Sequence, residues 1–236
     1  MRARLLACLR AALALATLAG CATRPSAPAA PTTPAAAAAN TPDLPFGSNA
    51  DADTLLTDLR SLDSTIVVTL RYATPDNFTG APLPGYGANR ALLRREAAAA
   101  LARVQRALAD SGLSLQIWDA YRPVRATLAM VAWTRRAGRE DLLRDGYIAS
   151  RSRHNLGLAI DLTLVDLRTG VPLDMGTAFD TFSLAAHTAN ADGSTLERRL
   201  KLKRLMESEG FVNYEQEWWH YSYAVSNPVR FDRVIQ

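Results

Sequence analysis

Apolar residues recur at helical spacing between residues 92 and 108, at Leu92, Leu93, Ala97, Ala100, Leu101, Val104, Ala107 and Leu108. This spacing predicts one buried helix face. Arg94, Arg95, Arg103 and Arg106 fall between them and read as a solvated face, with Gly112 as the stop. Leu115-Gln116-Ile117-Trp118-Asp119 alternates as a strand, and Tyr121-Arg122-Pro123 turns it into a second helix reaching about Arg136, where proline suits the first turn. The apolar run Leu158 to Val165 predicts a buried strand carrying Asp161. A third helix has Leu196, Leu200, Leu205 and Met206 on its apolar side, opened by the capping-box pattern Ser194-Thr195-Leu196-Glu197 and closed by Gly210. The β-branched stretch Ser64 to Tyr72 predicts a strand, and Phe211 to Tyr214 and Trp218 to Ala224 predict two more, joined at Glu215-Gln216. Residues 73–88 form a long loop, and 138–153 and 166–190 are irregular or loop-rich. Strands and helices follow no regular βαβ order. The expected fold is therefore a single α+β domain over residues 50–236, with a central, mostly antiparallel sheet flanked by helices.

Residues 1–49 lie outside this pattern. Met1-Arg2-Ala3-Arg4 is a basic start and Leu5 to Leu18 an apolar stretch interrupted by Arg10, together a signal peptide over residues 1–20. Leu18-Ala19-Gly20-Cys21 resembles the lipobox of bacterial lipoprotein precursors, which implies a lipid on Cys21 and a membrane anchor. Ala22 after the cysteine resembles the pattern sent to an outer membrane, so the expected location is the periplasmic side of the cell envelope. The alternatives are a secretory signal cut near Ala22 and an uncleaved apolar anchor. Residues 21–49 are rich in Ala, Pro, Thr and Ser and read as a flexible tether.

The 236 residues are 48% hydrophobic and 21% charged, with formal net charge +4. Loss of residues 1–20 removes Arg2, Arg4 and Arg10 and leaves +1, so charge argues for no nucleic-acid partner. No protein partner is implied. Of two cysteines, Cys8 lies in the removable segment and Cys21 would be lipidated. The mature domain then has no thiol for a disulfide or thiolate site, so any metal ligands are N and O.

Three histidines occur in the chain, and two of them stand beside carboxylates in compact motifs, Ser152 to Asp161 and Glu217-Trp218-Trp219-His220. His154, Asp161 and His220 could close on one divalent ion, for which zinc with three protein ligands and one open position is a hydrolytic pattern. Asp161 within an apolar strand supports this, because an unpaired buried carboxylate costs several kcal/mol. Glu217, three residues before His220, is placed to take a proton from a water. Residues i and i+3 do not share a face on a flat strand, so a bulge or a strand start at Glu217 is needed. Trp218 and Trp219 are expected as wall and core, and His187 in a structural or solvent role.

Ser152-x-His154-x-x-Gly157-x-Ala159-x-Asp161 with Glu217-x-Trp219-His220 resembles the signature of zinc D-Ala-D-Ala peptidases, the VanX-like dipeptidases and their carboxypeptidase relatives. Leu70-Arg71-Tyr72-Ala73-Thr74 with Asp76 to Gly80, Asp119-Ala120-Tyr121-Arg122-Pro123, and Leu173 to Thr177 with Phe179-Asp180 resemble the dipeptidase branch. The resemblance spans roughly residues 60 to 225. It implies one Zn2+ on His154, Asp161 and His220, Glu217 as general base and Arg122 steadying the oxyanion. It also implies Asp180, with Asp174 second, as partner of a substrate ammonium, and Ser152 as a substrate contact. Arg153, Asn155 and Leu158 depart from the commonest pattern. The implied reaction is hydrolysis of D-alanyl-D-alanine during cell-wall turnover. The alternatives are a D,D-carboxypeptidase or endopeptidase acting on peptidoglycan stem peptides, and a non-catalytic wall-binding lipoprotein.

Overall fold

The computed structural model describes residues 43–236; the signal peptide, Cys21 and the tether up to residue 42 lie outside the described residues. Folded structure starts slightly earlier than the sequence implies. Phe46 bridges Arg230, Gly47 N–H donates to Arg230 O at 2.9 Å, and Ser48 caps α1 (Asn49–Leu55) through a capping box with Asp51.

The chain continues through β1 (Leu56–Asp58), β2 (Val67–Val68), β3 (Leu92–Arg94), α2 (Arg95–Ala109), β4 (Leu113–Asp119), α3 (Val124–Arg136), the single turn α4 (Asp141–Arg144), β5 (Ala159–Asp166), α5 (Gly193–Ser208), β6 (Val212–Asn213) and β7 (His220–Ser222). Five strands form one sheet in the order β2-β4-β5-β7-β6; β2 runs parallel to β4, and the other pairs are antiparallel. β1 and β3 form a separate antiparallel pair. The α+β architecture with a mostly antiparallel sheet is as expected. The central strand β5 is buried along all but its last residue.

Four local elements differ from expectation. The strand expected over 64–72 shrinks to Val67–Val68, because Leu70 N–H turns to the Asn89 side chain and Arg71–Ala73 wind into a 3-10 turn. Leu92 to Arg94 pair as a strand before α2 begins, and Arg94 is buried instead of solvated. The capping box at Ser194 does not form. The helix starts two residues earlier, at Gly193, with Asp192 at the cap and Asp192 O accepting from Leu196 N–H. The strand expected over 218–224 keeps only His220–Ser222, because Trp218 and Trp219 lie in a turn.

The sheet is irregular at one point. In the β4–β5 ladder Ile117 faces Leu162 but Asp119 faces Asp161, so Trp118 is an extra, bulged residue. A bulge re-aims the side chains that come after it. Asp161 in turn faces His220 across β5 and β7. Asp119, Asp161 and His220 therefore form one row across three strands.

Candidate active site

His154 reaches this row from the 3-10 turn Arg153–Leu156, capped by Ser152: its Oγ accepts from His154 N–H at 3.2 Å, and Asn155 Oδ1 accepts from Ser152 N–H. The turn ends at Gly157 with φ +63, a left-handed conformation that favours glycine, and a Cβ there would crowd Leu56 Cδ2 at 2.5 Å and the Arg94 backbone nitrogen at 3.2 Å. Asn155 fastens the turn to the start of α3 by donating to Arg122 O and Thr127 Oγ1.

Metal-binding atoms of His154, Asp161 and His220 lie within 4.8 Å of one another, all buried. His154 Nδ1 is 2.7 Å from the Ala120 carbonyl, which only accepts, so Nδ1 carries the proton and Nε2 turns its lone pair inward. That Nε2 is 3.2 Å from His220 Nδ1 and 3.4 Å from Asp161 Oδ2, and His220 Nδ1 is 2.8 Å from Asp161 Oδ1. Burial pushes the His220 pKa down, keeping the ring neutral as a metal requires. Burial pushes Asp161 up, but the two imidazoles hold it below the usual carboxylate range. Two imidazoles and a carboxylate crowded into one dry spot are a donor set that fits a zinc ion.

Glu217 and His220 meet through a four-residue turn, not through a bulge or a strand start. His220 N–H donates to Glu217 O at 3.1 Å, and Asn213 Nδ2 donates to both their carbonyls. This leaves Glu217 Oε2 3.9 Å from His220 Nδ1. Burial, with the charges of Asp161 and Asp180, pushes the Glu217 carboxyl well above its ordinary value; Arg122 opposes them.

Arg122 is buried beside Asp119. Its Nε and Nη2 donate to Asp119 Oδ2 at 2.9 and 2.7 Å, Nη2 is 3.8 Å from Asp161 Oδ2, and the guanidinium lies over the Tyr72 ring. Burial works against its charge, but Asp119 above all overrides this and raises its pKa. Asp119 is a residue that sequence reasoning passed over. It is fully buried, it accepts from Tyr86 O–H on Oδ1 at 2.5 Å, and its Oδ2 stands 3.3 Å from His154 Nδ1. Its place in the Asp119-Ala120-Tyr121-Arg122-Pro123 motif was the available signal. The bulge that aims it was not visible in the alternation.

Asp180 comes in from the opposite side. It adopts a left-handed φ of 57° and accepts from Tyr72 O–H on Oδ1 at 2.9 Å, while Oδ2 is shut from solvent with no partner. Burial pushes this carboxyl up to about 8. Asp174, the second choice, is exposed and caps Gly176 N–H. His187 is half-buried against the Tyr147 hydroxyl, 3.3 Å away. One pocket is walled by Tyr72, Arg122, Ser152, His154, Asp161, Asp180, Glu217 and His220, with Phe78, Tyr147, Phe182 and Trp219 among its other lining residues. Every first-choice site residue within the described residues therefore meets in one place. Tyr72 joins them on the pocket wall, and Asp119 and Asn155 support Arg122 and the His154 turn from behind.

Such an arrangement can polarise a carbonyl, move one proton and hold one cation. The family model for D-Ala-D-Ala dipeptidases of peptidase family M15 matches residues 52–229. The D-alanyl-D-alanine dipeptidase of Enterococcus faecium is 38% identical over 167 residues, covering 64% of this chain and 82% of the relative. That of Escherichia coli K12 is 34% identical over 184 residues, covering 76% and 91%. Among solved structures, a zinc-bound D,D-pentapeptidase VanY mutant aligns at TM-score 0.36 and 16% identity over 68% of this chain and 87% of that one. With the family model spanning the domain and these relatives nearly covered end to end, the chain belongs to the D-Ala-D-Ala dipeptidase family of M15 peptidases.

Proposed function

We propose that this protein is a zinc dipeptidase that hydrolyses D-alanyl-D-alanine to two D-alanines in the cell envelope. The observation that carries the reading is a single pocket joining the His154–Asp161–His220 donor set, the buried acid Glu217 and the partnerless oxygen of Asp180. His154 through Nε2, His220 through Nδ1 and Asp161 through its carboxylate would hold the zinc ion. When bound, zinc supplies Lewis acidity at the substrate carbonyl and makes a water more acidic.

Glu217 takes the proton of the attacking water as the new C–O bond forms. It then delivers that proton to the amide nitrogen as the C–N bond breaks, so water is divided between the two products. A carboxyl held above its ordinary value is suited to both halves of this transfer. Arg122, fixed by Asp119, places positive charge where the carbonyl oxygen becomes anionic and strengthens its hold as the charge develops. Asp180 pairs with the free ammonium of the dipeptide, steadied by the Tyr72 hydroxyl. Ser152 keeps its hydroxyl on the pocket wall, where it contacts substrate and caps the turn carrying His154. An acid whose Oδ2 is enclosed without a partner favours a free dipeptide over a blocked or longer peptide, because only a cation at that position stabilises its ionised form.

The N-terminal pattern supports lipid attachment at Cys21 and placement on the periplasmic side of the envelope, with the Ala/Pro-rich stretch that follows Cys21 as a tether. The purpose that suits this location is recovery of D-alanine from wall-derived dipeptide.

The test is D-alanine release by the zinc-loaded full-length protein from D-alanyl-D-alanine and its N-acetyl derivative, with Glu217→Ala as control. Cleavage of the free dipeptide, lost in the variant, is expected. Equal cleavage of the blocked substrate would move the protein to the carboxypeptidase branch. Zinc-independent or absent cleavage would overturn the enzymatic reading. Labelling with radioactive palmitate tests the anchor, with Cys21→Ser expected to abolish incorporation.

A further inference from the structure

Arg199 in α5 is 1% exposed, yet every hydrogen bond it donates ends on a backbone carbonyl and none on a carboxylate. Nε donates to Met175 O at 2.8 Å, Nη1 to His187 O at 2.8 Å, and both terminal nitrogens to Ala185 O at 3.2 Å. Burial drives its pKa down. A leucine or methionine would fill such a position without that cost, so the charge calls for a reason. The reason lies in the fork of five donors, which can bind several carbonyls at once.

Those carbonyls belong to the segment between β5 and α5, whose only regular element is the 3-10 turn Leu184–Ala186. Asp180 stands inside it, with Met175 on one side of the grip and Ala185 and His187 on the other. The guanidinium also lies 5.8 Å from the ring of Trp218, which adjoins Glu217. Trp218 reaches back to the same segment, donating Nε1–H to Thr177 Oγ1 at 2.8 Å and N–H to Ala186 O at 3.0 Å. Gly176, with φ +85, lets the segment pass against α5. A Cβ there would come within 2.7 Å of Thr195 Cγ2 and 3.2 Å of Arg199 Nη2.

We infer that Arg199 is a positioning residue for substrate choice: by tying both flanks of Asp180 to the ring next to Glu217, it fixes the spacing between the ammonium partner and the group that moves the proton. That spacing must match the distance from the amino group to the scissile amide of a dipeptide. The inference rests on Asp180 being the partner of the substrate ammonium.

Steady-state kinetics of the zinc-loaded full-length protein on D-alanyl-D-alanine and its N-acetyl derivative test it. For Arg199→Lys, which keeps the charge but loses the fork, KM for the free dipeptide rises about 10-fold or more and kcat changes by less than about 3-fold. The preference for free over blocked substrate falls by the same factor as KM rises. Thr177→Val, which cuts the tie to Trp218 and leaves Arg199 in place, shifts preference the same way by about 3-fold and decides the matter alone should Arg199→Lys not fold. An unchanged preference in the folded variants, or equal loss of kcat on both substrates, overturns the inference. Asp180→Asn separates the two levels. If it loses the preference while the Arg199 and Thr177 variants keep it, the clamp alone is wrong; if Asp180→Asn keeps the preference, the ammonium reading falls and the clamp with it.

Discussion

The Tyr72 hydroxyl donates to Asp180 Oδ1 at 2.9 Å and leaves Oδ2 of that carboxylate enclosed without a partner. Its pKa of about 8 compares with about 3.9 for an aspartate in an unfolded chain. The folded state therefore binds this proton more tightly. The contribution to stability is full below about pH 4, is lost as pH rises through about 8, and stays lost above it. Asp180→Asn removes the titration. In the metal-free protein, urea unfolding should show the variant gaining on the order of 2 kcal/mol more over wild type at pH 9 than at pH 5. A pH-independent difference would count against the assignment.

Asp119 serves Tyr86, Arg122 and His154 at once. The His154 Nδ1 proton goes to the Ala120 carbonyl at 2.7 Å, so Asp119 acts on that ring through its charge at 3.3 Å; loss of such outer partners of a metal-binding imidazole typically costs about 10–100-fold in metal affinity. Asp119→Asn should weaken zinc binding by about that factor in a chelator competition, and kcat at saturating zinc should fall as well, because Arg122 loses its anchor. Tyr86→Phe, which keeps the ring and removes one donor, should move both quantities less. Full zinc affinity in Asp119→Asn would refute this role.

Glu217→Gln keeps the shape of the side chain and all three metal donors. Its kcat should fall by about 10²–10⁴-fold, the usual worth of a positioned acid or base. Zinc content measured by atomic absorption should stay at the wild-type level, and a variant losing both together would make Glu217 a ligand.

Gly157→Ala places a methyl against Leu56 and the backbone nitrogen of Arg94 at a left-handed φ. We expect a loss of about 1–3 kcal/mol in denaturant unfolding, with reduced zinc affinity because His154 sits in the displaced turn. Unchanged stability would show that β3 can move aside.

The three main helices and the strands around Ile117 and Asp161 were legible because long amphipathic or apolar runs state their own periodicity. The His154–Asp161–His220 group and Glu217 beside it were legible as a cluster because histidines are few and carry carboxylates beside them. Arg122, Asp180 and Ser152 came from the resemblance. Short elements were not legible: Arg71 and Tyr72 abandon a strand so that Tyr72 faces the pocket, and Trp218 and Trp219 turn so that Glu217 can face His220. Asp119 escaped because its aim depends on a bulge, and Tyr86 because its hydroxyl acts 33 residues along the chain. Tertiary packing decides the aim of such side chains, which alternation along the chain does not show.

Asp119, Asp161 and His220 share one row across β4, β5 and β7. A one-residue slip of any strand sends its side chain to the other face of the sheet. Incorrectly aligned chains therefore cannot be partly active, and specific activity counts correctly paired molecules. β7 joins β5 across a long intervening stretch, and distant pairings of this kind form slowly. Recovery of hydrolysis after dilution from denaturant should thus trail the return of helical signal and mark the moment at which β7 docks.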